Sequence, residues 1–459
     1  MNTLSVGAIA SMDLNRESPR FQAVQQLLNT RLGFDRPQLD PALVSLIQAV
    51  REYGAAIASE LQFPSSQDEE WRFTDISRLL GVNFQPATFP EETLKIDITP
   101  FILPEAANSR LVFVNGVYSP DLSDLSGVNL ETVTHLLSGV VPEAKLNPYL
   151  GKQPGTQEVF TALNSASLQD GALVWIPANQ VVETPIHVLF LSAENGEPAL
   201  ASPRTLVVAG ANSSVTLVEQ YVTISSCPAA PGITPYFSNA VTEVWLEDNA
   251  QVNHTRIQQE GQQSIHISKT AIFQNRDSRY TLNGISLGAG LSRHTIDAIQ
   301  QGEGTQTTLN GLTEITGKQC SDTHSSINHL YPNGNSNQLH KCIVDRNAHA
   351  IFNGKVFVPK AAQLTNAQQL NRNLILSDKA KVDTKPQLQI TADNVKCSHG
   401  ATVSQLEEEE VFYLQSRGLS QEASRHLLID AFANDILSRI PLTSLQTTLA
   451  QCLSCRTHF

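Results

Sequence analysis

The chain has 459 residues, 41% of them hydrophobic, and a formal net charge of −13 at pH 7. That apolar share builds a sizeable core and excludes a mostly disordered protein, while the length allows roughly three units of ~150 residues. A surface this acidic repels phosphate backbones, so nucleic acid is a poor partner for the chain as a whole. The six cysteines (Cys227, Cys320, Cys342, Cys397, Cys452 and Cys455) are too sparse for a disulfide framework, which favours a reducing cytoplasm. The opening MNTLSVGAIASMDLNRESPR lacks a positive n-region followed by a long apolar core and carries Asp13 and Glu17 early, which argues against a targeting segment. No run of ~18 to 20 apolar residues offers a membrane span.

Residues 1 to 100 read as helical in pieces. Phe21, Val24, Leu27, Leu28 and Leu32 recur at helical spacing after Pro19. Asp40-Pro41 opens a second helix, with Leu43, Leu46, Ile47 and Val50 on one face, broken at Phe63-Pro64-Ser65-Ser66. From 101 to 396 short β-rich runs dominate, such as Leu111-Val114, Ile186-Leu191 and Thr205-Val208, with frequent turn residues. Such a stretch without long helices cannot be a βαβ fold, whose parallel neighbours need crossover helices. A large sandwich or barrel, a propeller and a β-solenoid remain. Two recurring patterns bear on that choice. One is Leu246-Glu-Asp-Asn-Ala250, Leu376-Ser-Asp-Lys-Ala380 and, more loosely, Val344-Asp-Arg-Asn-Ala348; the other is an apolar residue followed by Asn-Gly, at 282–284, 309–311 and 352–354. Solenoid coils turning their corners over a small residue give such repeats, and ordinary hairpins also use Asn-Gly.

Residues 397 to 459 turn helical again. Glu407 to Glu410 lead a segment closed by Gly418, and acids suit the positive end of a helix. Ser420 caps a longer helix, Gln421 to Arg439, whose Ala423, Leu427, Leu428, Ala431, Phe432, Ile436 and Leu437 form an apolar stripe. The stripe packs on the chain's own body or docks a partner; Arg425 and Asp435 fall on the face expected to be exposed.

Potential ligands gather at Asp322, His324, His329, His340, Cys342, Asp345 and His349, a spacing that fits no zinc pattern. Cys397-Ser398-His399 places a thiol and an imidazole two residues apart, on one side of an extended chain that it is expected to end. Cys452, Cys455 and His458 offer three ligands without a fourth. No phosphate-binding loop, nucleophile elbow or His-Glu-x-x-His motif occurs. An ATP-driven role therefore requires another subunit.

The block ADNVKCSHGATVSQLEEEEVFYLQSRG (392–418), together with FNGKVFVPKAAQLTNAQQLNRNLILS (352–377) and Glu69-Glu70-Trp71-Arg72-Phe73-Thr74-Asp75, resembles the SufB/SufD family of iron–sulfur cluster assembly proteins. Gly400, where SufB usually has Glu, makes the resemblance closest to the SufD branch. The resemblance implies a right-handed parallel β-helix core flanked by helical N- and C-terminal regions. It also implies a non-enzymatic scaffold that pairs with a SufB-like paralogue, homodimerises when isolated, and docks a SufC-like ATPase through its C-terminal helices. Arg425, Leu428, Phe432 and Asp435 are the expected docking residues. His399, with Cys397 beside it, is the expected ligand of a transient iron–sulfur cluster or iron at the interface with SufB. The alternatives are the SufB-type paralogue itself and a β-helix polysaccharide-active enzyme, which an assay on acidic polysaccharide separates.

Overall fold

The computed structural model describes residues 16–88, 96–193, 196–224 and 234–457. The opening fifteen residues and Cys227 therefore lie outside the described residues. Ser18 caps α1 (Pro19–Thr30), its hydroxyl accepting from Phe21 N at 3.1 Å. Asp40 caps α2 (Pro41–Ser59), which buries Leu43, Leu46, Ile47 and Val50 as their spacing requires. The short helices α3 (Ser77–Leu80), α4 (Glu143–Leu146) and α5 (Val159–Ala166) complete this region. Helical packing therefore continues well past residue 100.

From Ala172 the chain winds as a β-solenoid of about eight turns. From Arg204 on, successive strands alternate between two facing sheets, and each pairs in parallel with the strand two places on. The opposite sheet supplies the crossover that a helix supplies in βαβ folds, which is why so long a stretch is almost free of helix. Among the described residues, antiparallel ladders occur only at the N-terminal end, Phe113 opposite Tyr118 and Val133 opposite Val174. They cap that end, and the sandwich and propeller alternatives fall.

The two repeats have different meanings. Ala250, Ala348 and Ala380 are buried in the turn just before a strand, each N–H donating to the carbonyl three residues back. These are the expected corners with a small residue inside. The corner that holds Ala250 also stacks left-handed residues from coil to coil: Asn179, Asn212, Asn249, Asp277, Gly304, Asn333 and Leu364, at φ 58° to 71°. Asparagine tolerates this conformation, and its amides form a ladder, Asn249 to Asn212 at 3.0 Å and Asn212 to Asn179 at 2.9 Å. The Asn-Gly repeat, by contrast, lies within strands Arg279–Ser286, Gln306–Ile315 and His349–Val358. Gly311 faces the lumen, where an added Cβ would stand 2.3 Å from His340 Nδ1. Gly311 and Gly354 make room for the long polar side chains of His340 and Gln369, whereas a Cβ at Gly284 would meet only the Asn310 carbonyl at 3.8 Å; none of the three turns a corner.

The N-terminal helices cover the outer face of the first sheet, through Phe63, Phe160, Ile265 and Ile267. The outer face of the second sheet lies under α6 (Glu408–Ser416), α7 (Gln421–Leu437) and α8 (Thr443–Thr457), with Ile257, Ile285, Leu312, Ile436 and Leu445 in one cluster. Strand Lys396–Ser404 continues the second sheet, so the C-terminal helical region starts at Glu408 and not at 397.

Candidate functional site

The solenoid ends on two strands, Lys381–Ile390 in the first sheet and Lys396–Ser404 in the second. Each pairs with the coil before it, and the order of each sheet stops there. Cys397 therefore does not close the last strand; it lies near the start of a nine-residue one. In that strand Cys397, His399, Ala401 and Val403 stand opposite Ala367, Gln369, Asn371 and Asn373, all buried in the lumen one coil earlier. Cys397 and His399 thus share the inward side, as their spacing requires. With no coil over it, the imidazole of His399 is exposed and the Cys397 thiol is half-buried. Burial raises the Cys397 pKa, opposed by a hydrogen bond with the Ala367 backbone. Gly400 faces outward, where a Cβ would meet Leu370 of the same chain at 3.3 Å. A groove of about 410 Å³ follows that outer side past Ser398 and Gly400 to Arg439.

The lumen beneath His399 is polar. In its column Gln369 and Gln338 are 3% and 1% exposed, yet Nε2 of both and Oε1 of Gln369 lack hydrogen-bond partners. His340 and Cys342 lie in neighbouring columns. Burial lowers the pKa of His340 to about 3 and raises that of Cys342 to about 12, so both are neutral at pH 7. Unsatisfied amides in a closed core are costly, and in this column they occupy the last two covered rungs beneath the open end.

The seven-residue ligand group is dispersed. His329 faces the lumen and bonds Ser336 Oγ at 2.9 Å; His349 pairs with Asp383 at 2.6 Å. Asp322 and His324 face outward under the N-terminal motif. Among the described residues no three His, Cys, Asp or Glu side chains gather as a metal site. Strand alternation explains this, since neighbours in sequence point to opposite sides of a sheet. Cys452 lies on α8, with Gln259 Nε2 3.6 Å from its sulfur. The Cys455 side chain and His458 lie outside the described residues.

One feature has no local signal in the sequence. The Glu69–Asp75 segment clasps the outer face of the first sheet. Glu70 Oε2 lies 3.3 Å from His324 Nδ1, and the Glu70 carbonyl accepts from Arg293 at 2.9 Å. Thr74 donates to Asp322, which also pairs with Arg293, and the guanidinium lies 3.8 Å from the Trp71 ring centre. Burial opposes charge on His324, but Asp322 and Glu70 outweigh it and raise its pKa.

The C-terminal helices depart from the expected pattern. Ser420 caps α7, accepting from Ala423 N at 3.1 Å. The buried face is Ser424, Ile429, Ala433, Ile436 and Leu437, rotated from the expected stripe, and Leu427 is 49% exposed. Ser424 can be buried because its hydroxyl donates to the Ser420 carbonyl at 2.8 Å. Arg425, Leu428, Phe432 and Asp435 are half-buried. Asp435 is already engaged inside the chain, its carboxylate 2.8 Å from Lys341 Nζ, which also donates to the Phe432 carbonyl at 3.0 Å. The apolar surface these helices leave open is Phe412, Tyr413, Leu419 and Leu427.

Two family models match the chain: the SufBD core domain of the SUF system for FeS cluster assembly over residues 190–432, and the SufBD protein N-terminal region over residues 35–188. The chain is 51% identical to an iron–sulfur cluster assembly SufBD family protein of Synechocystis over 421 residues, 90% of this chain and 92% of that one. It is 32% identical to the chloroplastic protein ABCI7 of Arabidopsis thaliana (86% and 83% covered). It is 28% identical to the iron–sulfur cluster assembly protein SufD of Escherichia coli (81% and 84% covered).

Proposed function

Because the chain belongs to the SufB/SufD family of iron–sulfur cluster assembly proteins, we propose that it acts as the SufD-type scaffold subunit of a SufBCD complex, without turnover of its own. The observation that carries the reading is the open end of the coil. Two strands of ten and nine residues present unpaired edges, and His399 and Cys397 sit on the inward side of one of them. An exposed edge this long is normally blunted or paired. A SufB-like paralogue laid across it would supply the missing backbone partners and enclose His399. The cluster, or the iron that enters it, is cargo held between the two chains. A neutral imidazole holds iron without adding negative charge, which suits a ligand that must release what it binds.

The SufC-like ATPase docks on the α6–α7 surface at Phe412, Tyr413, Leu419 and Leu427, where apolar area is open. Phe432 and Asp435 instead meet Lys341 of the solenoid, and Arg425 and Leu428 are half-buried on the same helix. Among the described residues no helix is long and apolar enough to cross a membrane. A reducing cytoplasm or an equivalent compartment is the proposed setting, one of the relatives being chloroplastic.

Co-expression with SufB-like and SufC-like chains tests the reading. A complex containing all three is expected, and Val403→Pro at the open edge should release the paralogue while the ATPase stays bound. A complex that forms equally well with that edge disrupted overturns the assignment of the interface. The SufB-type role, the second reading, predicts that replacing Gly400 by Glu leaves cluster formation unimpaired.

A further inference from the structure

A cavity of about 580 Å³ lies between the 60–71 segment, the start of α5 and the outer face of the first sheet. Its apolar side is Leu61, Pro64, Val159 and the aromatic pair in which Trp71 tilts against Phe160, 5.3 Å between ring centres. Its sheet side is polar, with Asp297, Ser326 and Lys355 in register on three neighbouring strands.

Carboxylates outnumber cations along this lining: Glu60, Asp68, Glu70, Glu158 and Asp297 against Arg293, Lys355 and His324. Most of these charges are answered nearby. Asp322 takes Arg293, whose Nε lacks a hydrogen-bond partner but whose charge is met. His324 lies between Asp322 and Glu70. Glu60 meets Arg16 on the surface, Asp68 closes its own turn through Ser65 N at 2.7 Å, and Lys355 stands exposed at the rim. Glu158 and Asp297, by contrast, share one lysine. Lys269 Nζ, on a side chain 4% exposed, lies 2.6 Å from Glu158 Oε1 and 2.7 Å from Asp297 Oδ2. The second oxygen of each carboxylate has no partner among the described residues. One negative charge is therefore left over at the α5 end of the cavity, beside the apolar wall. Burial, with Asp297 adding to it, raises the Glu158 pKa against the pull of Lys269, a cost that a second cation relieves.

We propose that this cavity binds a small organic cation, a protonated amine or guanidinium held by Glu158 and Asp297, with its apolar body against Leu61, Pro64 and Trp71. The size suits a compact ligand with one charged end, and carboxylates beside an aromatic wall are the surroundings that organic cations select. Trp71 already receives one cation in this way, the Arg293 guanidinium 3.8 Å from its ring centre. The site is on the opposite sheet from the open edge of His399, and nothing in it depends on the scaffold assignment.

The test titrates the full chain with phenethylammonium, read by calorimetry and by tryptophan emission, beside 3-phenylpropionate as the anion of matching shape. The amine is expected to saturate one site, more tightly at low salt, and the acid to bind about tenfold more weakly or not at all. The emission change should vanish in Trp71→Phe. Glu158→Gln should weaken the amine about fivefold, and Asp297 still pairs with Lys269 in that variant, so the fold is kept. Lys355→Met removes a repelling charge from the rim and should tighten the amine. Asp248→Asn, at a distant corner, should leave its affinity unchanged. Equal binding of amine and acid, unchanged affinity in Glu158→Gln, or weaker binding in Lys355→Met overturns the proposal. Should Glu158→Gln lower the melting temperature, the amine–acid contrast and the lysine variant decide.

Discussion

Replacing Asp435 by Asn tests whether that carboxylate anchors α7 or meets a partner. Lys341 is the reason to expect an anchor. Its side chain is 4% exposed, and Nζ lies 2.8 Å from Asp435 Oδ2, 3.0 Å from the Phe432 carbonyl and 4.4 Å from the Phe432 ring centre. Stripping the partner from a fully buried ion pair costs ~3–5 kcal/mol, and from an exposed pair ~0–1 kcal/mol. Here the lysine is buried, but the aspartate is 41% exposed and the carbonyl and ring remain. The expected loss is about 1–2 kcal/mol, concentrated in α7. In a chain this long such a loss moves the melting temperature little, so amide hydrogen exchange is the better assay. Exchange in α7 should speed up ~5- to 30-fold. The hydrogen bond from Lys341 depresses the Asp435 pKa. The contribution is therefore intact at neutral pH and is lost only as pH falls through that lowered value. Lys341→Met removes the charge and fills the space, so it should be nearly silent, and the double variant should recover. Unchanged α7 exchange in Asp435→Asn would refute the anchor. A double variant with restored exchange but weak ATPase-partner binding would show that Asp435 touches the partner directly.

His399→Ala should leave the melting temperature and assembly with both partners intact, because the ring is exposed, while visible absorbance from a newly formed cluster falls sharply; normal cluster formation removes His399 as a ligand. Cys397→Ala should be milder. Gly311→Val should cost ~1–3 kcal/mol by driving a side chain into His340, and adding His340→Ala should recover part of it in a double-mutant cycle read by thermal melting. The Glu69–Asp75 clasp should loosen with rising pH. The folded pKa of His324 is raised, so its contribution is full below the unfolded value near 6.5 and is lost as pH climbs through the folded one. Protection factors at 69–75, with exchange corrected for its intrinsic pH dependence, should therefore fall across that window in the parent chain and stay flat in His324→Gln.

The helices were legible because their signals are local. Asp40 and Ser420 accept the expected backbone hydrogen bonds, Ser18 supplies the same cap to α1, and the α2 stripe is buried as spaced. The face of α7 was misread because apolar residues surround it, and only the solenoid beneath decides which side is covered. Small residues betrayed the coil, though for two reasons: the alanines mark corners, and two of the three Asn-Gly glycines mark mid-strand crowding, Gly311 by His340 of the next coil and Gly354 by Gln369 of the facing sheet. The clasp and the cavity beside it join residues more than two hundred positions apart, such as Thr74 and Asp322. No periodicity predicts such a pair.

The sequence places the end of the coil at Cys397–His399, but not the strand that runs on to Ser404, for a subtler reason. Every coil repeats the same inward and outward alternation, so the pattern of Lys396–Ser404 reads like that of any interior strand. The column ending in His399 runs through Leu217, His254, Leu282, Leu309, Gln338 and Gln369. It is apolar or internally bonded in the early coils and carries unpartnered amides in the last two buried ones. An inward imidazole is an ordinary core residue anywhere along that column except at its end. There the same geometry turns it outward to whatever covers the coil. Termination of the repeat, more than any motif around Cys397 and His399, is what leaves these inward-facing residues uncovered by the chain itself.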